Sequence, residues 1–294
     1  TYCCYPPFYN GHYYLRKIEY VISDLKEAAV TKKPLAFLDA NLYNNREYLI
    51  MICRQIVFEK IDIIWCAQCT VNIGDDEEVL NLLYEAGCRM LFLVLETLNN
   101  KNLLQLNKPM NIDYYHRQVK GIHNAGIHIG AFFMLGLDED DELTFDNVYS
   151  FFQENKIEVP YVHIFFPTPG TATAEGLKSD GKILENYFDD HVFRQSKFSA
   201  LCSIAYFKSA GLSKAELEAG FVNLFTKITS LKNIIRRVLV PDIRIAALIL
   251  KMNMEARKKA KSMRKNKLKP ESNVISYIPS RLSKVENTTY IRNY

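Results

Sequence analysis

The sequence lacks the long apolar runs and the regularly spaced cysteines that mark membrane-spanning and small secreted proteins. No stretch of about 18 apolar residues, the length that spans a bilayer, occurs in it. No signal peptide is visible. The seven cysteines fall at irregular spacings, unlike the framework of a disulfide-rich secreted domain. We therefore expect a protein of the reducing cytoplasm.

A strong overall charge and clustered histidines are also missing. The formal net charge is +4, which by itself does not indicate a nucleic-acid partner. The six histidines include no HxH or HxxxH pair, so they do not suggest a metal site. His128 and His163 fall within predicted strands, and we interpret them as core or lumen groups with satisfied ring nitrogens.

The cysteines do not form a convincing zinc or redox motif. Cys66 and Cys69 make one CxxC pair, but a zinc site needs a second ligand pair at matching spacing, and none is evident. A thioredoxin-like pair opens a helix, whereas this pair closes a predicted strand. Cys53, Cys88 and Cys202 are expected to be small core residues.

What the sequence does have is a regular alternation of apolar runs with segments of helical periodicity. Five runs are predicted to be strands, each preceded by a helix: 35–38, 61–67, 90–95, 127–135 and 161–166. An unbroken apolar run such as 90–95 is typical of a strand covered on both faces, as in a parallel sheet. The first helix, at 13–29, has no strand before it, so we expect a sixth strand ahead of Thr1. The predicted fold is α/β, a partial (β/α)6 TIM-like barrel whose first strand is missing here, with a helical C-terminal extension.

Polar residues follow three consecutive predicted strands. Asp39 and Asn41 end the first, Gln68 the second and Glu96 the third, while Gly130 lies within the fourth. For a lone strand-end Asp or Asn, capping the next helix is the simpler interpretation. For Glu96 the simpler interpretation is a salt bridge to a neighbouring Lys or Arg. Because ligands collect at the carboxyl ends of parallel strands, three such strands together favour a small polar ligand at this rim.

Several short segments, each weak as a signal by itself, follow one another along the chain in a characteristic order and spacing. The chain begins Thr-Tyr-Cys and continues with Phe-Tyr-Asn-Gly at 8–11; Phe-Leu-Asp-Ala-Asn occupies 37–41; Ala-Gly-Cys at 86–88 leads to Glu96, with Asn-Lys at 107–108; Gly-Ala-Phe-Phe-Met-Leu-Gly-Leu-Asp occupies 130–138; and Pro-Thr-Pro-Gly-Thr occupies 167–171. Together, over roughly residues 1 to 240, they resemble the radical S-adenosylmethionine enzymes. The best match is the subgroup with an upstream cobalamin-binding domain. In that subgroup the third cysteine of the CxxxCxxC motif follows an aromatic residue, as Cys3 follows Tyr2.

The resemblance implies three cofactors: a [4Fe–4S] cluster held by three thiolates, S-adenosylmethionine bound at the open iron, and cobalamin through an upstream domain. The implied reaction is cleavage of S-adenosylmethionine to a 5′-deoxyadenosyl radical, which attacks the substrate inside a walled lumen. The implied ligands, by position, are Cys3 for the cluster, Tyr2 against the adenine, Asp39 or Asn41 at the methionine amino group, Gln68 and Glu96 at the ribose or carboxylate, and Gly130 where the backbone approaches the adenine.

Two features depart from the subgroup. Asp39 is followed by Ala40, where the subgroup usually has a second acid, so one carboxylate remains at that strand end. The first two cluster cysteines are absent from the sequence, which starts at Thr1 without an initiator methionine. We expect the natural N-terminus to lie upstream and the chain as given to be inactive alone. Cys4 is not expected to substitute, because adjacent loop residues rarely both reach one cluster.

Three functions stay open. The first is a radical S-adenosylmethionine enzyme, with cobalamin-dependent methyl transfer to an unactivated carbon as the expected reaction. The second is a methylthiotransferase, although no additional cluster motif or RNA-binding domain is evident. The third is a degenerate barrel that binds a nucleoside-type ligand without radical chemistry, which Ala40 favours.

The C-terminal part differs in pattern from the barrel. We assign the barrel to residues 1–180, a helical extension to 181–268 and a disordered tail to 269–294. Ser213 and Glu216 predict a capping box, and Pro241 can start another helix that runs into a basic stretch, 251–269. That stretch is either a solvated face or a helix resting on an anionic membrane.

The expected partners are a small-molecule or lipid-like substrate and an electron donor such as flavodoxin or ferredoxin. No nucleic acid is expected, because few aromatic residues interleave with the basic ones. Tyr9, Phe165 and Phe166, at the predicted mouth of the barrel, hint at an apolar or extended substrate.

Overall fold

A curled five-stranded parallel sheet forms the centre of the molecule. The computed structural model describes residues 2–3, 5, 9–108, 111–184 and 203–265. The strands lie in sequence order across the sheet: β1 (Leu35–Ala36), β2 (Trp65–Cys69), β3 (Cys88–Glu96), β4 (His128–Leu135) and β5 (Val159–Ile164). Because each strand pairs in parallel with the next one in the chain, every connection is a crossover. The predicted partial barrel of α/β class is confirmed, and a strand ahead of β1 stays a prediction.

Helices cover the outer face of this sheet and continue beyond it. Along the barrel run α1 (Ile18–Ala29), α2 (Arg46–Phe58), α3 (Glu77–Glu85), α4 (Asn100–Gln105), α5 (Ile112–Asn124), α6 (Glu142–Glu154) and α7 (Ala172–Ser179). The later described residues form α8 (Lys214–Ile228), α9 (Leu231–Arg237) and α10 (Ile243–Lys265). The predicted capping box of Ser213 and Glu216 is present at the start of α8. The predicted tail, 269–294, lies outside the described residues.

Four of the five strands begin at residues other than those predicted; β3 begins at Cys88 rather than at residue 90, and β4 at His128 rather than at residue 127. β2 begins at Trp65 rather than at residue 61, and β5 begins at Val159 rather than at residue 161. Ile63 and Ile64 are nevertheless buried. A run of apolar residues indicates which residues are buried. Here the buried residues extend beyond those that pair in the sheet, so the run alone does not locate the start of the strand.

The main core lies between the sheet and the outer helices. On β4, Phe133 packs edge-on against Phe151 and Phe152 of α6, with ring centroids 5.4 Å apart in each case. On β2, the fully buried Trp65 donates its Nε1–H to the carbonyl oxygen of Ala86 at 2.8 Å. Its ring meets Phe37 edge-on at 4.9 Å. Burying side chains of this size contributes roughly 1.5–3 kcal/mol each, so this outer layer fixes the sheet.

A second, smaller core lies on the inner face of the sheet. Helix α10 enters the curl of the barrel with Ile245 and Ile249, which pack on Ile64, Met90 and Val159. We call these five residues the lumen floor. Met90 and Phe92 are two residues apart on β3 and so share a face, which puts Phe92 above the floor. The C-terminal helices therefore close one end of the barrel.

Candidate functional site

The site is built around Glu96, the last residue of β3. Its side chain is almost fully buried, with 3% of the residue exposed. Its backbone is left-handed, with φ of 70°, and the register with β4 shifts between Val94 and Glu96. A non-glycine residue in this conformation costs of order 1–3 kcal/mol. A bulge of this kind re-aims a side chain and is over-represented at active sites.

Two donors meet the Glu96 carboxylate at the same oxygen. The Tyr2 hydroxyl donates to Oε1, and the Lys108 ammonium donates to Oε1 at 2.8 Å. The salt bridge considered from the sequence is therefore present, and Lys108 is its cation. Burial, together with the negative charge of Glu96, raises the pKa of Tyr2 well above its ordinary value, so Tyr2 is a neutral donor. Both contacts are made to Oε1, so Oε2 is the oxygen to which a ligand could donate a hydrogen bond.

The Tyr2 contact also fixes the neighbourhood of Cys3. Because Tyr2 is bonded to Glu96, the adjacent Cys3 lies at the carboxyl-end rim of the sheet, where it is a free, partly buried thiol. Within the described residues no group of three or more His, Cys, Asp or Glu side chains could hold a metal ion. These residues alone therefore do not supply the ligand set of a [4Fe–4S] cluster, which requires further thiolates. Cys3 can contribute one.

The residues predicted at the end of β1 have other partners. Asn41 accepts hydrogen bonds at Oδ1 from the backbone N–H of Tyr43, at 3.2 Å, and of Thr70, at 3.1 Å. It thus caps the short 3₁₀ helix Leu42–Asn44 and ties the loops after β1 and β2 together. Asp39 is exposed, and its charge adds to burial in raising the pKa of Tyr13. A contact of Asp39 or Asn41 with a methionine amino group stays a prediction.

Gln68 and Gly130 lie in one row across the inner face. Gln68 of β2 is in register with Phe92 of β3, and Phe92 is in register with Gly130 of β4. A Cβ atom at Gly130 would lie 2.3 Å from Cδ1 of Phe92, so this glycine makes room for the aromatic ring. The predicted approach of adenine to the Gly130 backbone stays a prediction, as does the role of Gln68.

Three aromatic side chains line the lumen above its floor. The rings of Phe132 and Tyr161 are stacked, with centroids 4.5 Å apart and an interplanar angle of 9°. Phe92 lies 6.2 Å from each of them. We call Phe92, Phe132 and Tyr161 the aromatic wall. All three are partly buried, so they present apolar surface to the lumen.

The aromatic residues proposed from the sequence for the mouth of the barrel pack against neighbouring aromatic rings, and their place at the mouth stays a prediction. Phe165 and Phe166 are buried, and they pack edge-on against Phe207 at 5.3 Å and Tyr206 at 5.7 Å. Tyr9 is 45% exposed and stacks with Tyr5. The alternation of side chains along β3, β4 and β5 could have predicted the aromatic wall. That prediction requires knowing which residues face inward and how the strands are aligned.

Burial favours the neutral forms of His163 and Tyr161 in the lumen. His163 lies two residues beyond Tyr161 on β5, and burial is the main cause that lowers its pKa. Glu96 raises and Lys259 of α10 lowers that pKa, so both charges act on His163. Burial, followed by the charge of Glu255 on α10, raises the pKa of Tyr161 to about 12. The lumen is thus a chamber in which electrostatic interactions are weakly screened.

At the opposite end of the strands, Glu158 is held by two histidines. Its carboxylate accepts hydrogen bonds from His128 Nδ1 at 2.8 Å, His123 Nε2 at 3.2 Å and the backbone N–H of Ile129 at 2.9 Å. Burial opposes ionisation, but these donors outweigh it and lower the pKa of Glu158 to about 2. The interpretation of His128 as a satisfied structural group is confirmed.

The CxxC cysteines are not poised for redox work. Cys66 and Cys69 are free thiols. Burial raises the pKa of Cys66, and raises that of Cys69 to about 12. A reactive thiol needs a lowered pKa and access. Cys53 and Cys88 are buried core residues as expected, whereas Cys202 lies outside the described residues.

Comparisons with known proteins agree with this architecture. No protein-family model matches the chain. It is 28% identical over 183 residues to the bacteriochlorophyllide d C-12(1)-methyltransferase of Chlorobaculum tepidum, covering 60% of this chain and 40% of that protein. It is 23% identical over 193 residues to the hopanoid C-2 methylase of Rhodopseudomonas palustris, covering 63% and 36%. The chain thus spans less than half the length of these curated relatives.

Two solved structures share the fold over most of this chain. One is the radical S-adenosylmethionine methyltransferase TsrM from Kitasatospora setae, with a TM-score of 0.63 and 15% identity, covering 86% of this chain and 56% of that one. The other is the cobalamin-dependent S-adenosylmethionine radical enzyme OxsB, with a TM-score of 0.53 and 10% identity, covering 87% and 44%.

The fold is therefore that of the radical S-adenosylmethionine enzymes. The particular resemblance read from the sequence, to the cobalamin-associated subgroup of that family, is confirmed. The cofactors expected from the sequence are also the ones these structures contain. TsrM holds cobalamin and a [4Fe–4S] cluster, and OxsB holds aqua-cobalamin and S-adenosylmethionine.

Proposed function

We propose that this chain belongs to a radical S-adenosylmethionine enzyme that uses a [4Fe–4S] cluster and cobalamin to transfer a methyl group to an unactivated carbon. One observation carries the proposal. Glu96, buried and re-aimed at the carboxyl end of β3, is bonded to Tyr2, the residue directly before Cys3. A candidate cluster thiolate and a candidate cofactor carboxylate thus share one rim. The fold, shared with TsrM and OxsB, supports the same assignment.

Different residues of the rim are proposed to bind the cluster and S-adenosylmethionine. When bound, the cluster supplies the electron that cleaves the sulfonium of S-adenosylmethionine. Cys3 would contribute one thiolate to it, and further thiolates would have to complete the ligand set. Glu96 would accept a hydrogen bond from the cofactor at Oε2, while Lys108 and Tyr2 hold Oε1 in place. This pre-organisation avoids moving a charged side chain when the cofactor binds.

The lumen supports a substrate with a large apolar part. The aromatic wall offers stacked ring surface, and the lumen floor, built partly by α10, excludes water from below. Exclusion of water protects a reactive radical from side reactions. The named relatives are a bacteriochlorophyllide d methyltransferase and a hopanoid methylase. We propose a small-molecule or lipid-like substrate, with the reducing electron supplied by a donor such as flavodoxin or ferredoxin.

The test is low-temperature EPR on protein made from its full coding sequence and reconstituted with iron and sulfide without oxygen. We expect a reduced-cluster signal that shifts when S-adenosylmethionine is added. Cys3→Ala should abolish the signal. Cys66→Ser, which removes a partly buried thiol of β2, is the matched control and should keep it. Glu96→Gln should keep the cluster but need about 10–100-fold more cofactor for the shift, the value of a hydrogen bond to a charged group.

A different outcome would favour a different function. If reconstitution yields no cluster in the wild type, the radical mechanism is wrong. The barrel would then be a nucleoside-binding scaffold, for which Ala40 in place of a second acid is the supporting observation. Equilibrium dialysis with radiolabelled S-adenosylmethionine in the absence of iron would measure that binding directly.

A further inference from the structure

One part of the surface carries an unusual row of exposed aliphatic side chains. These are Leu231 (51% exposed) and Ile235 (58%) on α9, Leu239 (77%) in the following turn, and Ile243 (78%) and Leu250 (43%) on α10. The first four recur every four residues along the chain. Single exposed aliphatic residues are ordinary, but five within the twenty residues 231–250 are more than chance exposure explains and favour a site of interaction. We call these five residues the aliphatic row.

The row lies in the most basic part of the described chain. Residues 231–265 include eleven Lys and Arg but only two acidic residues, Asp242 and Glu255, a net charge of +9 against +4 for the whole sequence. Lys232 and Arg236 are exposed and alternate with Leu231 and Ile235 on α9. An apolar row flanked by cations is typical of surfaces that rest on anionic lipid.

The same segment lacks what a nucleic-acid surface uses. Residues 231–265 contain no Phe, Tyr, Trp or His. Single-stranded nucleic acids bind through aromatic stacking as well as through charge, and large aliphatic side chains exposed to water would add nothing to phosphate binding. The combination therefore favours lipid over RNA.

The row is a fixed part of the surface because its underside is anchored in the barrel. Arg237, on the buried side of α9, donates from Nη1 to the carbonyl of Ile228 at 2.6 Å and to Asn253 Oδ1 at 3.1 Å. Asn253 donates in turn from Nδ2 to the carbonyl of Glu158 at 3.0 Å. α9 is thereby held to the end of α8 and to α10, and α10 is held to the residue directly before β5. Their outward faces keep one orientation, so the row can act as a single surface.

We propose that the aliphatic row, together with Lys232 and Arg236, is a docking surface for an anionic lipid bilayer. The aliphatic side chains enter the boundary between head groups and acyl chains, and the flanking cations meet anionic head groups. Within the described residues no helix is long and apolar enough to cross a membrane. The proposed contact is with the surface of one leaflet. The inference goes beyond the proposed function and does not depend on it.

The test is flotation of the full-length protein with vesicles of phosphatidylcholine alone and of phosphatidylcholine mixed with phosphatidylglycerol. We expect binding to the anionic vesicles only, with a decrease at high salt. Lys232→Glu combined with Arg236→Glu should weaken binding at least about twentyfold, since each cation near an anionic surface contributes roughly fivefold. Ile235→Gln combined with Leu239→Gln should weaken it at least about tenfold.

Leu143→Gln is the matched control, because Leu143 is 65% exposed on α6, away from the row, and this variant should bind as the wild type does. Melting curves should coincide for all variants, since every changed side chain is exposed. The proposal is overturned if neither vesicle binds the protein, which would mean that another segment or a second copy covers the row. It is equally overturned if the row variants bind unchanged, or if poly(U) is bound in place of lipid.

Discussion

The buried carboxylate of Glu158 should make the stability of the barrel depend on pH in a way that a single substitution can isolate. Lowering its pKa from 4.5 to about 2 corresponds to about 3 kcal/mol of native-state stabilisation at neutral pH, at 1.36 kcal/mol per pKa unit. The conversion needs little allowance for solvent, because the residue is only 8% exposed.

The direction follows from the order of the two pKa values. Because the folded value is the lower one, the stabilisation is fully present above the unfolded value of 4.5 and is lost as the pH falls through about 2. About 2 of the 3 kcal/mol should therefore have disappeared by about pH 3. Protonation removes the acceptor charge that His123 and His128 share, so the loss has a specific structural cause.

The assay is urea unfolding of the wild type and Glu158→Gln at about pH 7 and about pH 3. Gln keeps the size and one acceptor oxygen but cannot ionise. The difference in unfolding free energy between the two proteins should be about 3 kcal/mol at neutral pH and about 1 kcal/mol at the acidic pH. Glu154→Gln, which alters an exposed carboxylate near the end of α6, is the control. An equal difference at both pH values would refute the argument.

Two further predictions test the inner face. Gly130→Ala should destabilise the protein by about 1–3 kcal/mol, because the new methyl group overlaps the ring of Phe92. Adding Phe92→Leu should recover most of that lost stability in thermal melts. If stability is not recovered, the ring is not the obstacle. Asn253→Leu should cost about 2–4 kcal/mol in urea unfolding, because it removes the amide that accepts from buried Arg237 and donates to the Glu158 carbonyl. A change below about 0.5 kcal/mol would contradict this account of the α10 anchor.

The sequence predicts the barrel well because its local signals are strong. The apolar run at 90–95 lies inside β3, and Ser213 caps the helix that it was expected to open. The strand-end position of Glu96 was equally readable, since it is the first polar residue after that run. These features depend on neighbours a few residues away, which periodicity and capping rules describe.

Other features depend on contacts that local patterns do not contain. Lys108 contacts Glu96 although a helix and a turn separate them in the chain. The resemblance of the Asn-Lys pair at 107–108 to the family was the one sequence feature that pointed to Lys108. The Gly130–Phe92 contact requires the register between β3 and β4. Helix α10 was expected as a basic helix, but its entry into the lumen with Ile245 and Ile249 follows from tertiary packing alone.

The burial of Trp65 gives the protein a local optical probe. It is the one tryptophan in the sequence, and it lies at the start of β2, paired with Leu35 of β1 and packed edge-on against Phe37. β1 has only two residues in the sheet, so this edge is held by few ladder bonds. Tryptophan emission therefore reports on the β1 edge, whereas far-ultraviolet circular dichroism reports mainly on the helices. Two unfolding curves recorded on one sample would separate opening of that edge from loss of the barrel.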